Sequence, residues 1–213
     1  MLSNLYNFFI LRLLFIIMIG VNFIPAKVYC NQQIVLLGDS LMSGYGLDAE
    51  FHLSTILEKS LKVKGFNVKV INASVSGDTT SGGLNRVNWL LKRKDINIVI
   101  LCLGANDMLR GISPTLVRQN LNKILETLTE KKITVLFAGM IAQKSFGQKY
   151  KKEFDKIYPE LARKFKVSFL PFLLDGVALN PELNLKDGKH PNADGINLIS
   201  KNLEKKLISL LRN

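Results

Sequence analysis

The stretch QIVLLGDSLMSGYGL, residues 33–47, decides how the rest of the chain is read. It begins as a strand, with an apolar run at 34–37, and breaks at Gly38-Asp39-Ser40 into a turn that carries Gly44 and Gly46. A strand covered on both faces stays apolar along its length, so a polar break marks the place where the chain leaves the sheet. A serine at that place can start the following turn with its hydroxyl exposed in a cleft and its N–H pointing the same way. Taken alone, the tripeptide fits equally well a capping Ser40 and a turn-forming Gly38.

Further short apolar runs lie at 68–71, 98–103, 133–138 and 167–170. Between them run segments with helical spacing. STILEKSLKVKG sets Ile56, Leu57 and Leu61 on one side, and SPTLVRQNLNKILETLTEKK does the same with Leu116, Leu121, Ile124, Leu125 and Leu128. Ser113-Pro114 reads as an N-cap followed by proline at the first helical position, and ADGINLISKNLEKKLISLL closes the chain as another amphipathic helix. Apolar strands alternating with helices predict an α/β domain: a three-layer, flavodoxin-like fold with a five-stranded parallel sheet. Ligands of such sheets sit beyond the carboxyl ends of the strands, so motifs there carry the chemistry.

The second strand ends in NASVSGDTTSGGLNR, where Gly77 permits a positive φ and close approach of an N–H to a ligand. The third ends in LGANDMLRG, where the Asn106 amide can donate into the cleft or form an Asx-turn. Near the end of the chain comes LKDGKHPNADG. His190 stands three residues after Asp187, so one short turn can bring the carboxylate to Nδ1 and leave Nε2 facing a nucleophile. Pro191 stiffens that turn and Asn192 can cap the last helix. His52, ahead of the first long helix, reads as a solvated bystander. A serine, a glycine N–H, an asparagine amide and an Asp-x-x-His pair, each at a strand end or in the final loop, make a complete acyl-transfer set.

The blocks GDSL (38–41), SGDT (76–79), GAND (104–107) and DGKHPN (187–192), in this order and spacing, resemble those of the SGNH, or GDSL-type, hydrolases. The similarity runs from about residue 34 to the C-terminus. It is nearest to the branch of periplasmic thioesterase I, lysophospholipase and arylesterase, whose members often have glycine where this chain has Ala105. The resemblance implies Ser40 as nucleophile, His190 as base and Asp187 as its orienter, with the Ser40 N–H, the Gly77 N–H and the Asn106 side chain as oxyanion donors. Asp39 is expected to hold the loop by hydrogen bonds rather than do chemistry. Gly44 and Gly46 are expected to turn the backbone away and leave room for substrate. Met108, Leu109 and Ile112 are read either as core plugs or as the lining of an acyl-chain groove.

The expected activity is that of a serine esterase or thioesterase acting on arylesters, lysophospholipids or acyl thioesters through an acyl-enzyme. A carbohydrate esterase acting on acetylated cell-wall sugars is the alternative, and a non-catalytic lipid-binding envelope module is a distant third. No metal or cofactor is expected, because no Cys, His and carboxylate ligands cluster at suitable spacing.

The 213 residues suffice for one domain, and 47% hydrophobic content excludes a disordered chain. Residues 1–30 differ from the rest: Arg12 precedes an apolar run at 13–24, and no acid is present. That is the order of a cleaved signal peptide, with Val28 and Cys30 flanking Tyr29 ahead of a cut before Asn31. The apolar stretch at 5–24 is also close to the roughly 20 residues of a membrane anchor, which is the alternative. Lipidation of Cys30 is disfavoured by Tyr29 before it. The expectation is therefore a signal peptide at 1–30, a hydrolase domain at 31–213, and export to the periplasm or beyond.

Loss of Arg12 and Lys27, with no acid, takes the net charge from +12 to +10. The basic residues are scattered along helices, as in KKEFDKIYPELARKFK, without the interleaved aromatics of a nucleic-acid site. No nucleic-acid partner is expected; transient contact with anionic membrane lipid is allowed, and the protein reads as a monomer. Cys102, inside INIVILCLG, reads as a buried and inert thiol.

Overall fold

Five parallel strands, β1 (Gln32–Gly38), β2 (Val68–Asn72), β3 (Ile96–Cys102), β4 (Thr134–Ala138) and β5 (Ser168–Leu170), lie in the order β2-β1-β3-β4-β5. They belong to a computed structural model that describes residues 31–212. The signal peptide expected at 1–30 lies outside the described residues.

The strands form where the sequence offers unbroken β-branched and aliphatic runs. Residues 34–37 of β1 and 98–102 of β3 are buried throughout, because helices cover both faces. The helices are α1 (Ser40–Ser43), α2 (Leu53–Val63), α3 (Thr80–Leu90), α4 (Ala105–Leu109), α5 (Pro114–Glu130) and α6 (Gln148–Phe165) between the strands, and α7 (Ala193–Arg212) after the last of them. Helices α2 and α7 pack together, as do α3 with α5 and α5 with α6, which gives the expected three layers. Cys102 is buried, and burial pushes its thiol well up, in keeping with an inert core side chain.

Helix α5 begins as its sequence predicts: the Ser113 hydroxyl accepts from the Leu116 N–H, with Pro114 at the first position. Its inward face differs by one residue. Val117, Leu121, Ile124 and Leu128 are buried, whereas Leu116 is exposed. Residues 117, 121, 124 and 128 follow the helical repeat of three and four, and Leu116 is turned about 100° away from that line.

From β1 the chain crosses to β2 on one side, and from β2 it returns to β3 on the other. The connections leaving β1 and β3 therefore diverge and open a crevice at their carboxyl ends. There Gly38 pairs with Cys102, and a Cβ on Gly38 would stand 2.9 Å from the Cys102 carbonyl oxygen and 2.6 Å from Met42 Sδ. The two chains can end side by side only without that side chain. Gly38→Ala is expected to cost about 1–3 kcal/mol, the usual range for overpacking, read as a lower denaturation midpoint with unchanged cooperativity. Wild-type stability in this variant would show that β1 and β3 can spread at no cost.

Candidate active site

Asp39 makes the turn after β1. Its backbone is extended, and its Oδ1 accepts from the Leu41 N–H at 3.0 Å, capping the short helix α1 that begins at Ser40. The helix ends at Gly44, in the left-handed region at φ 88°. A Cβ there would fall 2.2 Å from the His52 ring, and one on Gly46 would fall 2.8 Å from Leu185 Cδ1. These two glycines thus make room for protein, a correction to the expectation that they clear space for substrate. His52 is likewise no solvated bystander. Its ring is half-buried against this turn, with Nε2 3.0 Å from the Leu47 carbonyl oxygen.

The loop before α7 brings the second component. The His190 carbonyl accepts from the Leu185 N–H at 2.7 Å, and a bridge between Asn184 and Pro191 closes the turn. Inside it, Asp187 Oδ1 accepts from the backbone N–H groups of Lys189 and His190 at 2.9 and 3.0 Å. Asp187 Oδ2 lies 2.6 Å from His190 Nδ1, and His190 Nε2 lies 2.9 Å from Ser40 Oγ. The hydrogen bond from the His190 ring, followed by the two backbone donors, holds the Asp187 carboxyl well below the usual carboxylate range. An ionised Asp187 is an acceptor only, so it claims the hydrogen on Nδ1 and leaves the Nε2 lone pair for the serine. Asn192 Oδ1 accepts from the Gly195 N–H at 3.0 Å, the cap expected of it.

The opposite wall comes from the ends of β2 and β3. Gly77 adopts φ 80°, and its carbonyl accepts from Arg110 Nη2 at 2.9 Å. Gly104 has φ 117°, with no room for a Cβ beside the Tyr158 hydroxyl, and Asn106 follows in the first turn of α4. Asn106 Nδ2 donates to the Asp78 carbonyl at 2.9 Å and to Asp39 Oδ2 at 3.3 Å. Ala105 is accommodated as a buried helical residue. All five residues singled out from the sequence, Ser40, Gly77, Asn106, Asp187 and His190, thus stand on segments joined at one end of the sheet.

Several side chains that build this site were not singled out from the sequence. Arg86 donates through Nε to Asp78 at 2.6 Å, through Nη2 to the Gly38 carbonyl at 3.0 Å, and through Nη1 to the Ala73 carbonyl, tying the β1 end to the β2 loop. Buried Asp107 accepts from the Thr80 N–H at 2.8 Å and the Thr80 hydroxyl at 2.6 Å, anchoring α3 to α4. The Tyr45 ring lies 4.3 Å, centroid to centroid, from the His190 ring. An aromatic residue between two glycines was the available signal for Tyr45, as was an arginine closing a polar turn for Arg86. The apolar trio after Asn106 divides: Met108 is buried, Ile112 packs partly against the core, and Leu109 is 47% exposed.

A parallel α/β sheet with a serine, a histidine and a carboxylate in series at its carboxyl edge defines the arrangement of a serine hydrolase. The chain belongs to the GDSL-like lipase/acylhydrolase family, whose model matches residues 36–197. It is 34% identical over 212 residues to the thioesterase 1/protease 1/lysophospholipase L1 of Escherichia coli strain K12, covering 100% of this chain and 99% of that one. It is also 34% identical to an arylesterase of Vibrio mimicus over 188 residues, 88% of this chain and 94% of the relative. Among solved structures, TesA superposes with a TM-score of 0.80 at 32% identity, over 84% of this chain and 99% of TesA. The SGNH-hydrolase family esterase AlinE4 superposes at 0.72 and 42% identity, over 85% of this chain and 97% of AlinE4.

Burial sets Asp39 apart from Asp187. Its carboxyl is 1% exposed, and desolvation, only partly offset by the Leu41 N–H, raises it from 3.8 to about 7, with the Asp78 and Asp107 charges adding to the rise. Between those two pH values the folded protein keeps a proton that the unfolded chain has released. Stability should therefore fall as pH rises through this window, by an amount on the order of a few kcal/mol. Denaturant midpoints measured at pH 5 and pH 8 are expected to drop in wild type and to drop less in Asp39→Asn. Equal pH dependence in the two proteins would mean that Asp39 ionises as an ordinary carboxylate.

Proposed function

We propose that the protein hydrolyses acyl esters and thioesters by two-step acyl transfer. The observation that carries this reading is the unbroken series Asp187 to His190 to Ser40, at 2.6 and 2.9 Å, at the carboxyl edge of the sheet. In this reading Ser40 Oγ attacks the carbonyl carbon while its proton passes to His190 Nε2. The imidazolium, steadied by Asp187, then gives that proton to the leaving alcohol or thiol. Water attacks the acyl-enzyme by the same route in reverse, releasing the acid and restoring Ser40. The oxyanion of each tetrahedral intermediate is received by the Ser40 N–H, the Gly77 N–H and the Asn106 amide.

The names of the relatives, arylesterase, thioesterase and lysophospholipase, support small acyl esters and thioesters as the substrate class. Leu109, exposed three residues beyond Asn106, would offer an apolar surface to the acyl chain. The residue order of 1–30 supports export, with action in the periplasm or outside the cell, and the scattering of the basic residues along helices speaks against a nucleic-acid partner.

A panel of p-nitrophenyl esters, lysophospholipids and acyl-CoAs, run on wild type and Ser40→Ala, tests this reading. Wild type is expected to turn over acyl esters and thioesters. Ser40→Ala should fold normally and lose on the order of 10⁶ in kcat, as when the nucleophile is removed from a comparable unit. Retention of more than a few per cent of activity in a clean preparation would remove Ser40 from the mechanism.

A further inference from the structure

Asp39 is the neighbour of Ser40 in the chain, yet its carboxylate is buried and takes its hydrogen bonds from elsewhere. Each of its oxygens has its own donor. Oδ1 receives the Leu41 N–H of the capping contact, and Oδ2 receives the Asn106 amide at 3.3 Å. A cap needs only one acceptor oxygen. Keeping a nearly fully buried carboxylate for that purpose is costly, and asparagine or serine would cap as well without a charge. The second oxygen is therefore the one that calls for an explanation.

An asparagine amide can present either its oxygen or its NH2 to a cleft. Here two acceptors, the Asp78 carbonyl and Asp39 Oδ2, sit on the NH2 end and select one orientation. The Asp78 contact is the shorter of the two. The longer one leaves a hydrogen that can be shared with, or passed to, a stronger acceptor appearing nearby.

Resting on the reading of Asn106 as an oxyanion donor, we propose that Asp39 is a positioning residue for Asn106. Its carboxylate holds the amide with the NH2 end toward Ser40 and is the resting acceptor of the N–H that turns to the oxyanion in the transition state. The amide group is then already in place when charge develops, and only one hydrogen bond has to be handed over.

Protonation disrupts this arrangement. A neutral Asp39 carboxyl has one oxygen bearing hydrogen, so either Leu41 or Asn106 faces a donor in place of an acceptor. Desolvation places that event at about pH 7. The groups around Asp39 are Asp78, itself paired with Arg86, Asp107 on α4, His190 on the loop before α7, Cys102 on β3 and Tyr158 on α6. Protonation of Asp39 therefore opposes catalysis on the acid side.

A double-mutant cycle with a p-nitrophenyl ester tests the proposal. Asp39→Asn keeps a capping oxygen but turns an NH2 toward the Asn106 NH2. Asp39→Ser keeps a cap and is too short to reach Asn106. Both are expected to fold, to lose about 10- to 100-fold in kcat and to change KM little. Asn106→Ala is expected to lose roughly 10²–10³ in kcat. The double variant Asp39→Asn/Asn106→Ala should be no slower than Asn106→Ala alone, because Asp39 acts only through that amide. The acid limb of log(kcat/KM) against pH should be less steep in Asp39→Asn than in wild type. Losses that multiply in the double variant, or wild-type kcat in folded Asp39→Asn, would overturn the proposal. An Asn106→Ala variant with wild-type kcat would instead remove the oxyanion reading on which it rests.

Discussion

The contact of 2.9 Å between Ser40 Oγ and His190 Nε2 joins residues 150 positions apart, and the architecture around it is arranged to make that approach possible. A hydrogen bond between two mobile side chains is worth little in water, where each finds other partners. Here neither is free to drift. Ser40 is the first residue of a helix capped by its own neighbour, and His190 is held by two backbone bonds of its loop to Asp187 and Leu185. Tyr45 on the serine side lies against the His190 ring, and Leu185 on the histidine side fills the space left by Gly46. The two loops thus touch at several points besides the Ser40–His190 pair.

The sheet supplies the second half of the arrangement. The order β2-β1-β3 brings the ends of β1, β2 and β3 together, and polar side chains lock these ends in place. Arg86 crosses from α3 to the Gly38 and Ala73 carbonyls, and Asp107 crosses from α4 to Thr80. Four carboxylates, Asp39, Asp78, Asp107 and Asp187, meet different fates within this small volume. Asp187 is set between a histidine and two N–H groups and stays ionised, whereas Asp39 sits in protein with fewer donors and holds its proton to about pH 7. Environment, and not residue type, divides their roles.

The strands and the site positions were legible in the sequence for one physical reason. A doubly covered parallel strand must be apolar throughout, so the first polar or glycine residue after it marks the edge of the sheet where ligands bind. Ser40, Gly77 and Asn106 lie within a few residues of such breaks, and Asp187 and His190 stand out through a local spacing of three. What the sequence did not reveal depends on contacts between distant segments. The position of His52 ahead of a helix carries no sign of its burial, which comes from the Gly44 turn and the Leu47 carbonyl. Arg86 and Tyr45 lay inside the quoted motifs, but their partners, the Gly38 and Ala73 carbonyls and the His190 ring, are visible only once the loops are folded together. Leu116 and Val117 are adjacent apolar residues, and only packing against the sheet decides which one turns inward.

The proposed chemistry rests on one oxygen atom, Ser40 Oγ. The most direct measurement is stoichiometric inactivation with a p-nitrophenyl alkylphosphonate, followed by intact mass and peptide mapping. A nucleophile activated by His190 should displace p-nitrophenol once per chain, with loss of esterase activity in proportion and the phosphonyl group on the peptide containing Ser40. The account would be contradicted by a stoichiometric adduct on any other residue, or by an unmodified chain that goes on hydrolysing esters at its full rate.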